Sequence, residues 1–251
     1  QKFDIIFHVY TKFALIIRFL TLRHFMVLDI RTGDLSSNKF KRLFKNFQIT
    51  YSSWFYPHIS VISESLAKKL SIAFKKSIII PLGGELQPLS GKIINDIRLL
   101  YVGTLDKRNI HETVYGLSLF LERNEMIGIS YEIIGSGNES SLKLLLKSIE
   151  ETGLSQIVSF HGRKYLDELL PFYEKCNVGV IYVPKTDFYD CQPVTKLYES
   201  LLAGMPVIAT NTNENRISLN EDSGVLCEDN PQSFCIALES IYKYRKRYDS
   251  S

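Results

Sequence analysis

The chain has 251 residues, 45% of them hydrophobic and 23% charged, with a formal net charge of +3. That is a globular composition, with enough apolar material for one large domain or two small ones. A charge this small argues against a nucleic-acid partner, which needs a concentrated Lys/Arg face.

The basic run 242–247 reads as a solvated helix end. The four cysteines, Cys176, Cys191, Cys227 and Cys235, form no Cys-x-x-Cys pair and have no His cluster beside them. A zinc site is therefore not expected, and reduced thiols in a cytoplasmic protein are. No apolar run is long enough to span a bilayer.

In chain order, short apolar runs predict strands at 4–8, 25–29, 58–62, 77–80, 98–102, 130–134, 156–160, 178–182, 207–209 and 225–226. Several are apolar throughout rather than alternating, which suits parallel strands buried on both faces. The segment 1–6 already reads as a strand and not as a signal peptide. The apolar stretch 13–20, broken by Arg18, is expected to be a buried helix, with a membrane-surface role as the alternative.

Leucine, isoleucine and valine at helical spacing predict helices at 110–123, 140–152 and 195–203. Gly153 and Gly204 are placed to end the last two. Strands and helices alternating in this way define an α/β chain with parallel sheets.

Residues 81–92 collect Gly and Pro without periodicity, so a boundary is expected there. It separates 1–88, an incomplete Rossmann-like domain with few strands, from 89–251, a full one. The chain as a whole reads as a fragment with an intact second domain.

Three loops could carry chemistry. Val102-Gly103-Thr104-Leu105-Asp106-Lys107-Arg108-Asn109 follows the second domain's first strand, where ligands of open parallel sheets sit. Its Gly103 permits close backbone approach, and Lys107 and Arg108 are suited to clamping a pyrophosphate.

Gly135-Ser136-Gly137 partly matches a dinucleotide fingerprint, but Ser140 stands where a third glycine is needed. A tight strand-to-helix turn is the better reading. In the third loop, Cys191-Gln192-Pro193-Val194-Thr195-Lys196-Leu197-Tyr198-Glu199 opens a helix. Lys196 and Glu199 share a face near its start. The amides of Val194, Thr195 and Lys196 form the kind of donor set that holds phosphate. A carboxylate one turn further in can accept two hydrogen bonds from a ribose diol. Asp187 and Asp190 lack the spacing of a metal-holding Asp-x-Asp and read as loop or cap residues.

The segment from Pro193 to Thr210 resembles the donor-site motif of the retaining glycosyltransferases of GT-B fold known as family 4. The order of other motifs agrees. Leu100-Tyr101-Val102-Gly103-Thr104-Leu105 resembles the opening of that family's donor domain, and Glu132-Ile133-Ile134-Gly135-Ser136-Gly137 its second strand and turn. Phe160-His161-Gly162-Arg163 resembles the loop that receives the base. Asn215-Arg216 and Gly224-Val225-Leu226 resemble its late turns. The likeness covers residues 97–240 strongly and 1–88 weakly.

The resemblance implies two Rossmann-like domains, with 1–88 on the acceptor side and 89–251 binding a nucleotide-sugar donor. It implies transfer of a sugar to an acceptor hydroxyl with retention, without metal or other cofactor, as in polysaccharide biosynthesis. Glu199 would bind the ribose. Lys107, Arg108, Lys196 and the Val194–Thr195 amides, with Gly103, would hold the diphosphate, and Gly162 and Arg163 would line the base pocket. The acceptor would be a saccharide or a lipid-linked sugar. The protein would be cytoplasmic, with the inner face of the membrane left open.

Two positions depart from the family pattern. Cys191 stands where many members carry a second Glu, and Thr104 where an Arg is usual. His8 ends a strand near the place of a family histidine, one position out of register, and reads as structural. The remaining histidines carry no signal. A non-catalytic nucleotide-binding module and an NAD-dependent oxidoreductase remain as alternatives.

Overall fold

In the computed structural model, residues 4–34, 36, 38–84, 92–124 and 128–248 are described. The chain divides into two compact units: Gln1–Leu82 with Asp187–Pro193, and Gly83–Thr186 with Val194–Ser251. The boundary expected at 88/89 lies outside the described residues.

Unit 1 holds β1 (Ile6–Val9), α1 (Ala14–Leu20), β2 (Met26–Ile30), α2 (Lys39–Ser53), β3 (His58–Val61), α3 (Glu64–Lys69) and β4 (Ser77–Ile79). Its strands form a parallel sheet in the order β1-β2-β3-β4. Met26, Leu28, Ile30, Ile59 and Val61 fill its core. Residues 187–193 return to this unit, and Cys191 is buried in the same apolar cluster. Position 191 is therefore a core position, where a thiol packs without a charge to solvate.

His8 Nδ1 lies 2.7 Å from the Tyr56 hydroxyl, which itself donates to the carbonyl of Ala14. The pair ties β1 to the first turn of α1, a structural role for His8. The segment 13–20 is a helix but not a buried one. Only Ala14 of α1 is buried, while Ile16, Phe19 and Leu20 face solvent. The expectation failed because apolar content, which sequence displays, does not say whether a partner surface lies opposite.

Unit 2 holds β5 (Ile97–Val102), α4 (His111–Arg123), β6 (Ile129–Ile134), α5 (Glu139–Glu151), β7 (Val158–Phe160), α6 (Leu166–Lys175) and β8 (Val178–Ile181). It continues with α7 (Thr195–Leu202), β9 (Val207–Thr210), α8 (Asn213–Ser218), β10 (Gly224–Cys227) and α9 (Pro231–Lys243). The six strands are parallel, in the order β10-β9-β8-β5-β6-β7. Alternate residues feed opposite faces. Leu99, Tyr101, Tyr131 and Ile133 join the large core under α4 and α9. Leu100 and Ile134 join a second cluster with Leu169 and Tyr173 of α6.

Gly153 and Gly204 have φ of +67° and +73°, the left-handed conformation that ends α5 and α7. Asn215 and Arg216 lie inside α8 and not in a turn, because the Thr212 side chain accepts from the Asn215 amide and starts a helix there. Gly224, Val225 and Leu226 likewise form the edge strand β10, as the strand pattern predicts and the turn resemblance does not.

All four cysteines are free and buried. Burial pushes the Cys176 and Cys227 thiols up to about 12, which keeps them protonated and unreactive.

Candidate functional site

The strand order of unit 2 reverses between β5 and β8, and ligands of open parallel sheets bind beyond the strand ends at such a switch point. A small cleft opens there. It is lined by Gly103, Thr104 and Arg108 after β5, by Tyr182 and Val183 after β8, and by Val194 and Lys196 at the start of α7.

The loops around the cleft are built on close backbone approach. A Cβ added at Gly135 falls 1.7 Å from the carbonyl oxygen of Gly103, so no side chain fits between the ends of β5 and β6. The Gly135 amide donates to the Gly162 carbonyl at 2.9 Å, which ties in the end of β7. The Leu105 amide donates to the Ser136 carbonyl at 2.8 Å. The Thr104 hydroxyl accepts from the Asp106 amide at 3.2 Å, and Asp106 in turn accepts from the Asn138 amide at 2.6 Å. Thr104 thus braces the loop, in a position where an arginine would reach outward. Gly135-Ser136-Gly137 is the tight turn anticipated, leading into α5 with Asn138 as its cap.

Helix α7 begins without a side-chain cap at Val194, so its first amides and dipole face the approach to the cleft. Lys196 Nζ donates to Glu199 Oε2 at 2.5 Å, one turn apart on one face. The same oxygen accepts from the Tyr173 hydroxyl at 2.9 Å. Burial, with the Glu199 carboxylate beside it, raises the Tyr173 phenol well above its ordinary value, so Tyr173 stays a donor. Gly84 packs against the backbone of Glu199, with 3.2 Å from a built Cβ to the Glu199 amide nitrogen.

Gly103, Arg108, Val194 and Lys196 therefore line one cleft, with Glu199 joined to it through Lys196. Lys107 does not line it. With φ of +56° its side chain leaves the other way, beside a separate hollow with Asn109, His111 and Leu144. Thr195 and Arg163 are exposed, and Gly162, at φ +66°, takes part through its carbonyl.

Two residues carry more of the site than their sequence suggests. Tyr173, 26 positions before Glu199, orients it. His161 Nε2 lies 2.5 Å from buried Glu132, whose other oxygen accepts from Lys175 at 2.5 Å. That cluster pins the loop leading to Gly162. The signal available in sequence was the glutamate inside the apolar strand 130–134, since a buried carboxylate needs partners.

The family of glycosyl transferases group 1 matches residues 96–244. The chain belongs to this family, and its two parallel α/β units have the GT-B fold of these enzymes. No curated protein matches the chain in sequence.

Among solved structures, it is similar to Alr3699/HepE of Anabaena, solved in complex with UDP, at 14% identity and a TM-score of 0.77, covering 98% of this chain and 71% of that one. It is also similar to sucrose-phosphate synthase of Thermosynechococcus elongatus, at 16% identity and a TM-score of 0.74, covering 98% and 66%. The lipopolysaccharide outer core galactosyltransferase WaaB follows at 15% identity and a TM-score of 0.68, covering 96% and 66%. At such identities these likenesses speak for the fold.

Proposed function

We propose that the chain moves a sugar from a nucleoside-diphosphate donor to an acceptor hydroxyl, with unit 2 binding the donor and unit 1 serving the acceptor. The observation that carries this reading is the convergence at one switch point of Gly103, Arg108, Lys196 and the uncapped start of α7, with Glu199 one turn in. The complexes of the Anabaena protein with UDP and with UDP-glucose support it.

In this reading the diphosphate lies over the α7 amides between Arg108 and Lys196. Lys196 releases Glu199 in part, and the carboxylate takes the ribose diol while Tyr173 holds it in place. Cations and amides stabilise the charge that develops on the departing diphosphate, so no divalent ion or cofactor is called on. Retention at the anomeric carbon, a saccharide or lipid-linked acceptor and a cytoplasmic location at the membrane face belong to the same proposal.

The test is a thermal-shift panel of UDP, GDP and NAD on the wild type and Glu199→Ala. A nucleoside diphosphate at 100 times its Kd should stabilise the wild type by about 2.7 kcal/mol. Glu199→Ala should weaken that binding by about 2–3 kcal/mol, roughly 30- to 150-fold. Protection by NAD alone, or equal affinity in the variant, would overturn the reading. Tight diphosphate binding with no transfer to any acceptor would reduce it to a nucleotide-binding module.

A further inference from the structure

A lysine on the approach to a strand is ordinarily a surface cation. Lys92 is not. It is 6% exposed, and among the described residues no other lysine is buried. Lys92 and Ile94 are buried while Ile93 is exposed, the alternation of an extended segment that leads into β5.

Burying an ammonium is costly unless its donors are used. Here Lys92 Nζ donates to the carbonyls of Tyr173 at 2.6 Å and Glu174 at 2.8 Å, in the last turn of α6. A helix leaves its last four carbonyls without partners of its own. In α6 all four are taken. The Cys176 amide donates to the Phe172 carbonyl at 2.9 Å, Lys92 takes the next two, and Arg98 Nε donates to the Lys175 carbonyl at 2.6 Å. Both cations also meet the negative pole of the helix dipole. Buried Asn177 ties the same end to residues 93–98. Its side chain donates to the carbonyls of Ile93 at 3.2 Å and Asp96 at 2.8 Å, and accepts from the Arg98 amide at 2.8 Å. The stretch 92–98 is thus a socket for the end of α6. Pro171 has no amide to donate, so α6 is weakened just before the turn that Lys92 clamps.

Arg98 and Lys92 share the capping, but it is Lys92 that grips Tyr173. Tyr173 is held at both ends, its carbonyl by Lys92 and its hydroxyl by Glu199 Oε2, to which it donates at 2.9 Å. Tyr173 is 3% exposed and packed in a core cluster, so the place of its hydroxyl follows the backbone of α6. A small shift of that backbone stretches the bond to Glu199 beyond the usual range.

We propose that Lys92 is a positioning residue of the donor site: by clamping the last turn of α6 it sets the place of the Tyr173 hydroxyl and, through it, the aim of the Glu199 carboxylate at the ribose diol. The proposal rests on the donor-site reading above. Its signature is selective. Loss of Lys92 loosens the grip on the ribose and spares the diphosphate, which falls to the α7 amides, Arg108 and Lys196.

Calorimetric titration tests it with UDP or GDP, whichever the wild type binds, with the 2′-deoxy analogue and with inorganic pyrophosphate. In Lys92→Met the affinity for the nucleoside diphosphate should fall roughly fivefold, and the preference for it over the deoxy analogue should shrink. Pyrophosphate affinity should stay within about twofold of the wild type. Lys92→Arg, which keeps the charge and its donors, should restore most of the preference. Arg98→Met uncaps the same helix end without touching Tyr173, so it should lower the melting temperature and keep the preference. In a Tyr173→Phe background Lys92→Met should weaken nucleotide binding no further. Lys92→Gln keeps one donor and should show the same pattern to a smaller degree, which preserves the test if Lys92→Met folds poorly. An unchanged preference in a folded Lys92→Met or Lys92→Gln protein would overturn the proposal. So would an equal loss for all the probes, or an effect undiminished in the Tyr173→Phe background. A wild type that binds none of the probes would instead overturn the donor-site reading, and the proposal with it.

Discussion

In unit 2 both faces of the sheet are covered. Leu99, Tyr131 and Ile133 face one layer of helices, and Leu100 and Ile134 the other. Among the described residues of unit 1 one cluster forms, while Phe7 and Val9 of the edge strand β1 and most of the apolar residues of α1 and α2 are exposed.

Each unit also buries one carboxylate in its sheet. Asp29 accepts from Arg31 at 2.6 Å and from Ser60 at 2.7 Å, and Glu132 accepts from Lys175 and His161. Among the described residues, it is in unit 2 that glycines draw neighbouring strand ends together and leave cations around an uncapped helix start. A parallel sheet is thus common ground, and the loops beyond its strands decide whether it becomes a nucleotide-type site.

The sharpest way to break this comparison is at the glycine contact. Gly135→Ala should cost unit 2 roughly 3 kcal/mol, because the added methyl collides with a backbone oxygen that cannot turn aside. Thermal melting would show it, and an unchanged melting temperature would mean the loops are looser than their packing implies.

Next in size is Glu132→Gln, expected to cost about 2 kcal/mol near neutral pH by leaving its buried partners poorly matched. Burial pushes this carboxyl up, but hydrogen bonds from Lys175 and His161 outweigh burial and hold it below its ordinary value of 4.5. A carboxyl lowered in the folded state stabilises above its unfolded pKa, and that contribution is lost as pH falls through the folded value. The penalty of Glu132→Gln should therefore shrink in acid, below the ordinary value. A pH series of melting curves with a constant difference between wild type and variant would contradict this.

The smallest effect is Tyr173→Phe, which removes one hydrogen bond from Glu199 and should weaken donor binding by about 1 kcal/mol, roughly fivefold. Unaltered binding would mean that Lys196 alone orients the carboxylate.

How much was legible in advance varied along the chain. The strands among the described residues stand within a few residues of their apolar runs, most plainly β2, β8 and β9, which are buried throughout and so announce themselves by composition. Helices α4, α5 and α7 were legible from their stripes. Helix α6 was not, since Pro171 lies within it and its start has no side-chain cap from Tyr165, only the Glu168 carboxylate accepting from the Tyr165 amide. Lys196 and Glu199 could be paired from their spacing alone, whereas Lys107 and Arg108 looked equivalent side by side. The left-handed backbone at Lys107 sends the two in different directions.

The amino-acid order alone determined the strands, the parallel α/β class, the family motifs and the Lys196–Glu199 pair, because each rests on local periodicity or short spacing. Only the tertiary structure decided that Tyr173 and His161 support the site, that Cys191 is core, and that most apolar residues of α2 face outward. Each of those depends on which surfaces meet across tens of residues, and one chain's pattern of polar and apolar side chains does not encode which surface lies opposite.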